Sequence, residues 1–144
     1  MDLSRLNCKN RAERNGLNAV VKSGKMSQSL SKISIVDLEV FYRVGVPDAE
    51  RAAPQRLLLT VEMETDFTQA AATDDLTATI DYYAVTQRLL RLGEGRSWRL
   101  IEKLANDIAE IVLREFKAAA VTVEVKKFII PETRYVSVQL SRKF

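Results

Sequence analysis

Lys127 closes the run Ala119-Ala120-Val121-Thr122-Val123-Glu124-Val125-Lys126-Lys127, which alternates apolar and polar residues with a period of two. That period marks a half-buried β-strand. Val121, Val123 and Val125 share one face, Thr122, Glu124 and Lys126 share the other, and Lys127 has the parity of the valines. The strand therefore ends by aiming an amine toward its apolar side. An ammonium beside an apolar wall loses solvation, which favours the neutral amine and makes the side chain a candidate acid and base. The alternative is a stem that follows the sheet and lifts its charge into water. The chain has no histidine. Histidine-based acid–base catalysis, Ser-His triads and the commonest zinc ligand sets are thereby excluded, and proton transfer falls to Lys, Glu, Asp, Tyr or water.

The 144 residues suffice for one domain with a sizeable core. A single cysteine, Cys8, rules out an internal disulfide and fits a reducing, cytoplasmic setting. No apolar run approaches membrane-spanning length. The net charge of +3 is unevenly placed: residues 1–31 carry six basic and two acidic side chains, leaving the remainder at −1. The basic character belongs to the arm, so a nucleic-acid footprint on the domain is not indicated. The arm sustains no period and is broken by Asn-Gly and Ser-Gly pairs, which predicts a poorly ordered extension before a domain spanning 32–144. It lacks the apolar core of a secretory signal. Binding of an acidic partner by the arm stays open.

The elements that must position Lys127 follow in order. Ile33 to Arg43 reads as a strand whose apolar parity slips, so a bulge near Ile35-Val36 is expected. Gly45 to Pro54 is a loop, and Gln55 to Asp66 is a second strand with Leu57, Leu59, Val61 and Met63 on one face. The two strands are expected to pair antiparallel. A polar connection, Phe67 to Ile80, leads to Asp81 as N-cap of a helix carrying Tyr82, Val85, Leu89 and Leu92, stopped by Gly93 and Gly95. Ser97 is expected to cap a second helix with the stripe Ile101, Leu104, Ala105, Ile108, Ile111 and Val112, running to about Phe116. The Lys127 strand, a loop from Phe128 to Thr133 and a last strand from Arg134 to Ser141 complete the order ββααββ. That order predicts an α+β domain, a four-stranded antiparallel sheet with two helices on one face. Its two open edges call for covering or pairing.

Several segments together carry a resemblance: Gly45-Val46-Pro47-Asp48-Ala49-Glu50 with Pro54-Gln55, Asp74-Asp75-Leu76 through Thr79-Ile80-Asp81-Tyr82, Leu100-Ile101-Glu102-Lys103-Leu104-Ala105 and Val123-Glu124-Val125-Lys126-Lys127. In order and spacing this set resembles the dihydroneopterin aldolase family, of the tunnelling fold. The resemblance implies subunits that close a barrel as a homo-tetramer, stacked in pairs as an octamer, with sites between neighbours. It implies retro-aldol cleavage of dihydroneopterin to hydroxymethyl-dihydropterin and glycolaldehyde in folate biosynthesis, without metal, Schiff base or other cofactor. Lys127 falls on the catalytic lysine, which moves protons through a bound water. Glu102 falls on the glutamate that anchors the pterin, with the backbone of Ile101 beside it. Tyr82 matches a tyrosine reaching the site from a neighbouring subunit, Glu50 matches a loop carboxylate near the substrate hydroxyls, and backbone near Ile80 touches the ring.

Each residue also has a plain structural reading: Glu102 as a first-turn glutamate favoured by the helix dipole, Tyr82 as a core-facing ring, Glu50 as a solvated loop charge. Phe128 departs from the family, where proline usually follows the lysine. That keeps open epimerisation of dihydroneopterin triphosphate, and a non-catalytic ring that binds pterin or purine.

Overall fold

A computed structural model describes residues 30–144, so the expected arm lies outside the described residues except for its last two. Strand β1 (Ser31–Val44) runs antiparallel to β2 (Gln55–Thr65). The pairing register shifts between Ile35 and Leu38, where Asp37 takes φ +53°. This is the expected bulge, centred on Val36-Asp37. It restores the parity that the sequence breaks, so that Ile33, Ile35, Leu38, Val40, Tyr42 and Val44 all turn to one side. Two bonds hold the bulge: the Asp37 amide donates to Thr60 Oγ1 (3.1 Å), and Lys126 Nζ donates to Asp37 Oδ1 (2.9 Å).

Strand β4 (Ala120–Lys127) pairs antiparallel with β2, and β5 (Val136–Lys143) pairs antiparallel with β4. The last strand thus starts two residues later than the sequence suggests. Alternation along β2 and β4 fills one face of the sheet with Leu57, Leu59, Val61, Met63, Val121, Val123 and Val125, all buried. On that face lie α3 (Tyr82–Leu92) and α4 (Ile101–Glu115), α3 against β1 and α4 against β4 and β5. Helix α4 buries Ile101, Leu104, Ala105, Ile108, Ala109, Val112 and Leu113, a stripe three to four residues apart. Asp81 caps α3, accepting from the Ala84 amide at 3.1 Å.

The expectation of a four-stranded antiparallel sheet needs correction. The sheet has five strands in the order β3-β1-β2-β4-β5, and β3 (Ser97–Trp98) is parallel to the end of β1, Arg43 opposite Ser97 and Val44 opposite Trp98. Ser97 is therefore a strand residue, and the N-cap of α4 is Leu100, which supplies no side-chain acceptor. Two short helices also fall where loops are expected: α1 (Asp48–Arg51) and α2 (Thr68–Thr73), the latter followed by a 3-10 turn at Leu76–Ala78. Both are short and contain no fully buried residue, so no apolar stripe betrays them.

Between α3 and the sheet, Tyr42 is 1% exposed and donates its hydroxyl to the Leu89 carbonyl near the helix end. Burial pushes this phenol well above its ordinary range, so the hydroxyl stays a donor. The ring lies so close to Gly93 that an added Cβ would meet it at 2.5 Å, so packing requires glycine there.

Candidate active site

Lys127 ends β4 with Leu57 and Val136 as its partners in the flanking strands, so its stem runs between two apolar neighbours. Its side chain is only 12% exposed, and its ammonium contacts Oε1 of Glu50, itself 18% exposed. The contact is an ion pair without hydrogen-bond alignment, and Glu50 Oε1 is buried with no hydrogen-bond donor among the described residues. The lysine of the alternating strand thus does not lift its charge into open water. A neighbouring carboxylate compensates it and keeps an acceptor lone pair to spare.

Glu50 is held by a loop with its own clamp. Arg51 donates from Nη1 to the carbonyls of Gly45 (2.6 Å) and Val46 (2.7 Å) and pairs with Asp48, while Arg43 donates to the carbonyls of Arg51 and Ala52. Gln55 Nε2 reaches the Val44 carbonyl at 2.5 Å. Gly45 has φ +148°, and a Cβ there would stand 2.3 Å from Glu50 Cδ. The carboxylate therefore packs over bare backbone. Gly45→Ala is expected to displace Glu50 from Lys127 and to cost about 2 kcal/mol through the unfavourable φ. A denaturant midpoint unchanged from wild type would contradict this.

The second wall comes from the β3–α4 corner. Trp98 Nε1 donates to Asp107 Oδ2 (3.0 Å), Arg96 Nη2 reaches the same oxygen (3.1 Å) with its guanidinium 4.8 Å over the indole, and Lys103 holds Oδ1. Burial opposes the charged form of Asp107, but the bonds from Lys103 and Trp98 and the charges of Lys103 and Arg96 outweigh it, so its pKa lies below the ordinary value. This knot ties β3 to the second turn of α4 and fixes the corner Arg99-Leu100-Ile101-Glu102. Leu100 offers no side-chain cap to the first-turn amides of α4 among the described residues, and Glu102 stands in that turn.

The two walls enclose one cleft of about 280 Å³, lined by Glu50, Ile101, Glu102 and Lys127 among others, with Val46 and Pro47 on the loop side and Ile129 and Ile130 on the β4–β5 connection. Four of the six residues expected at a site are thus brought together. The other two are not. Ile80 is 5% exposed in the core, and Tyr82, at the start of α3, is 62% exposed and outside the cleft of its own chain. The core-facing reading of Tyr82 is thereby corrected: it shares a helical stripe with Val85 and Leu89, but as the first residue of α3 it is left largely exposed.

An amine, two carboxylates and an apolar rim in one cleft of an α+β domain make an arrangement that can hold a small polar ligand and exchange protons with it. Residues 33–141 match the family model for dihydroneopterin aldolase. A dihydroneopterin aldolase of Haemophilus influenzae is 30% identical over 98 residues, covering 68% of this chain and 83% of the relative. Among solved structures, one from Vibrio cholerae superposes with a TM-score of 0.77 at 30% identity, covering 81% of this chain and 99% of that one. Escherichia coli dihydroneopterin aldolase in complex with neopterin superposes with a TM-score of 0.74 at 26% identity, covering 78% and 98%. The chain belongs to the dihydroneopterin aldolase family.

Proposed function

We propose that the chain is an aldehyde-lyase of folate biosynthesis that cleaves dihydroneopterin to hydroxymethyl-dihydropterin and glycolaldehyde in this cleft. The observation that carries the reading is that Glu102, from a helix N-terminus, and Lys127, from a strand end, open into the same space. Glu102 accepts two parallel hydrogen bonds from the amino-pyrimidinone edge and fixes the ring, with the backbone of Ile101 beside it. Glu50 lies nearest the substrate hydroxyls. Through a bound water, Lys127 takes the proton of the side-chain hydroxyl. The carbon–carbon bond then breaks, its electron pair passes into the ring imine, and glycolaldehyde leaves. The same proton returns to the carbon that lost the bond, so no proton is gained or lost over the cycle. The ring is the electron sink, so the step asks only for placement and proton transfer.

Tyr82 and the backbone near Ile80 enter this reading from a second copy. Its support is the exposure of Tyr82 outside its own chain's cleft and the two sheet edges left open among the described residues, β5 and the part of β1 that β3 does not cover. Closing these edges between copies makes a barrel and removes them. A monomer mass by light scattering at working concentration would end that part of the proposal.

The test of the activity is incubation of the purified protein with dihydroneopterin and identification of the products. Glycolaldehyde and hydroxymethyl-dihydropterin in equal amounts support the reading. An epimer with its carbon skeleton intact, or bound pterin without turnover, would replace it.

A further inference from the structure

On the face of the sheet opposite the helices, one row of side chains crosses the strands just beyond the last backbone pair of β4. Leu57, Lys127 and Val136 are in register, so Arg56, Phe128 and Tyr135 stand one step further out. The Arg56 guanidinium lies 4.8 Å from the centre of the Phe128 ring, and that ring meets Tyr135 edge-to-face at 6.3 Å and 71°. The row is braced at both ends. Arg56 pairs with Glu39 of β1 (3.3 Å), and Lys126 stands 5.0 Å over the Tyr135 ring while bonding Asp37 in the bulge. Phe128 and Tyr135 are the first and last residues of the β4–β5 connection. Within that connection the Ile130 carbonyl accepts from both the amide and the hydroxyl of Thr133 at 3.1 Å, closing a turn at its tip.

We propose that Phe128 is a positioning residue: clamped between Arg56 and Tyr135, it fixes the base of the β4–β5 connection so that Ile129 and Ile130 wall the cleft beside Lys127. The inference rests on the proposed function for its kinetic readout. Phe128 and Lys127 are adjacent but point to opposite faces, so freedom at one is transmitted to the other through a single peptide unit. Aromatic edge-to-face and cation–ring contacts are directional and hold that unit in one orientation. The contacts that make the clamp join β1, β2, β4 and the β4–β5 connection, so ring anchoring by Glu102 on α4 is expected to be left alone.

Phe128→Ala is expected to lower kcat about tenfold, the scale of a small misplacement of a reacting group, with KM within about threefold. Phe128→Tyr, which keeps the ring, is expected to restore kcat. Arg56→Gln, an exposed change that spares the fold, is expected to lower kcat in the same direction by a smaller factor. Unchanged kcat in Phe128→Ala, a loss confined to KM, or an equal loss in Phe128→Tyr overturns the proposal. Amide hydrogen exchange over residues 129–133 reads the clamp without substrate, so it separates failure of the clamp from failure of the proposed activity. Faster exchange in Phe128→Ala and Arg56→Gln than in wild type is expected, and equal rates in all three overturn it.

Discussion

Lys127→Ala is expected to reduce kcat for dihydroneopterin cleavage by about 10³-fold, within the range that a positioned acid–base group supplies. Ligand binding should change by no more than about threefold, because the groups that grip the ring sit on α4. Removing the amine also leaves the Glu50 carboxylate, 18% exposed, without its counterion. A loss of activity could therefore come from a displaced Glu50 instead of a missing proton carrier. Lys127→Arg separates the two. A guanidinium keeps a cation for Glu50 but does not deprotonate in a protein, so it cannot act as the base. Both variants should be inactive in stopped-flow turnover while holding pterin in a fluorescence titration. An active Lys127→Arg would reassign the residue to electrostatics.

Glu102→Gln should act on the other half of the cycle. The amide presents one acceptor and one donor where the carboxylate presents two acceptors, so one donor of the ligand edge meets another donor. The charge assistance is lost as well. Hydrogen bonds to charged groups contribute about 1.5–3 kcal/mol each, so KM should rise about 10²-fold with kcat within about fivefold. Folding should barely respond. Glu102 is exposed, and its interaction with the helix dipole is worth about 0.3–1 kcal/mol. A kcat that falls while KM holds would place Glu102 in the chemistry and not in the anchoring.

The sheet is legible in the sequence because each long strand buries one face, which writes a period of two. Even the bulge at Asp37 shows, as a slip of apolar parity from Ile35 to Leu38. Helix α4 is legible for the same reason, at a period of 3.6. Ser97 misleads because a serine before an apolar stripe has the look of an N-cap, yet its backbone is taken by β1 and the Trp98 ring packs 5.3 Å from Tyr42. A two-residue strand leaves no periodicity to find. Helix α2 is invisible for want of any buried residue.

At the cleft, the parity of Lys127 puts it on the apolar side without further help. That it meets Glu102 and Glu50 is a matter of tertiary geometry, reached in the sequence only through resemblance. The loop clamp was not legible at all. The bonds from Arg51 to the carbonyls of Gly45 and Val46 leave no period in the sequence, and the need for glycine at position 45 comes from the Glu50 side chain folded over it. Arg56 lies far in sequence from Phe128 and Tyr135, and the three come together only when three strands are in register.

The most direct measurement is a crystal structure of the protein with neopterin bound. The account predicts the pterin in the cleft between the Glu50 loop and the α4 corner, its amino-pyrimidinone edge on the Glu102 carboxylate, and its side-chain hydroxyls about 3 Å or one water from Lys127 Nζ. A ligand seated with Lys127 and Glu102 out of reach of the same molecule would contradict it.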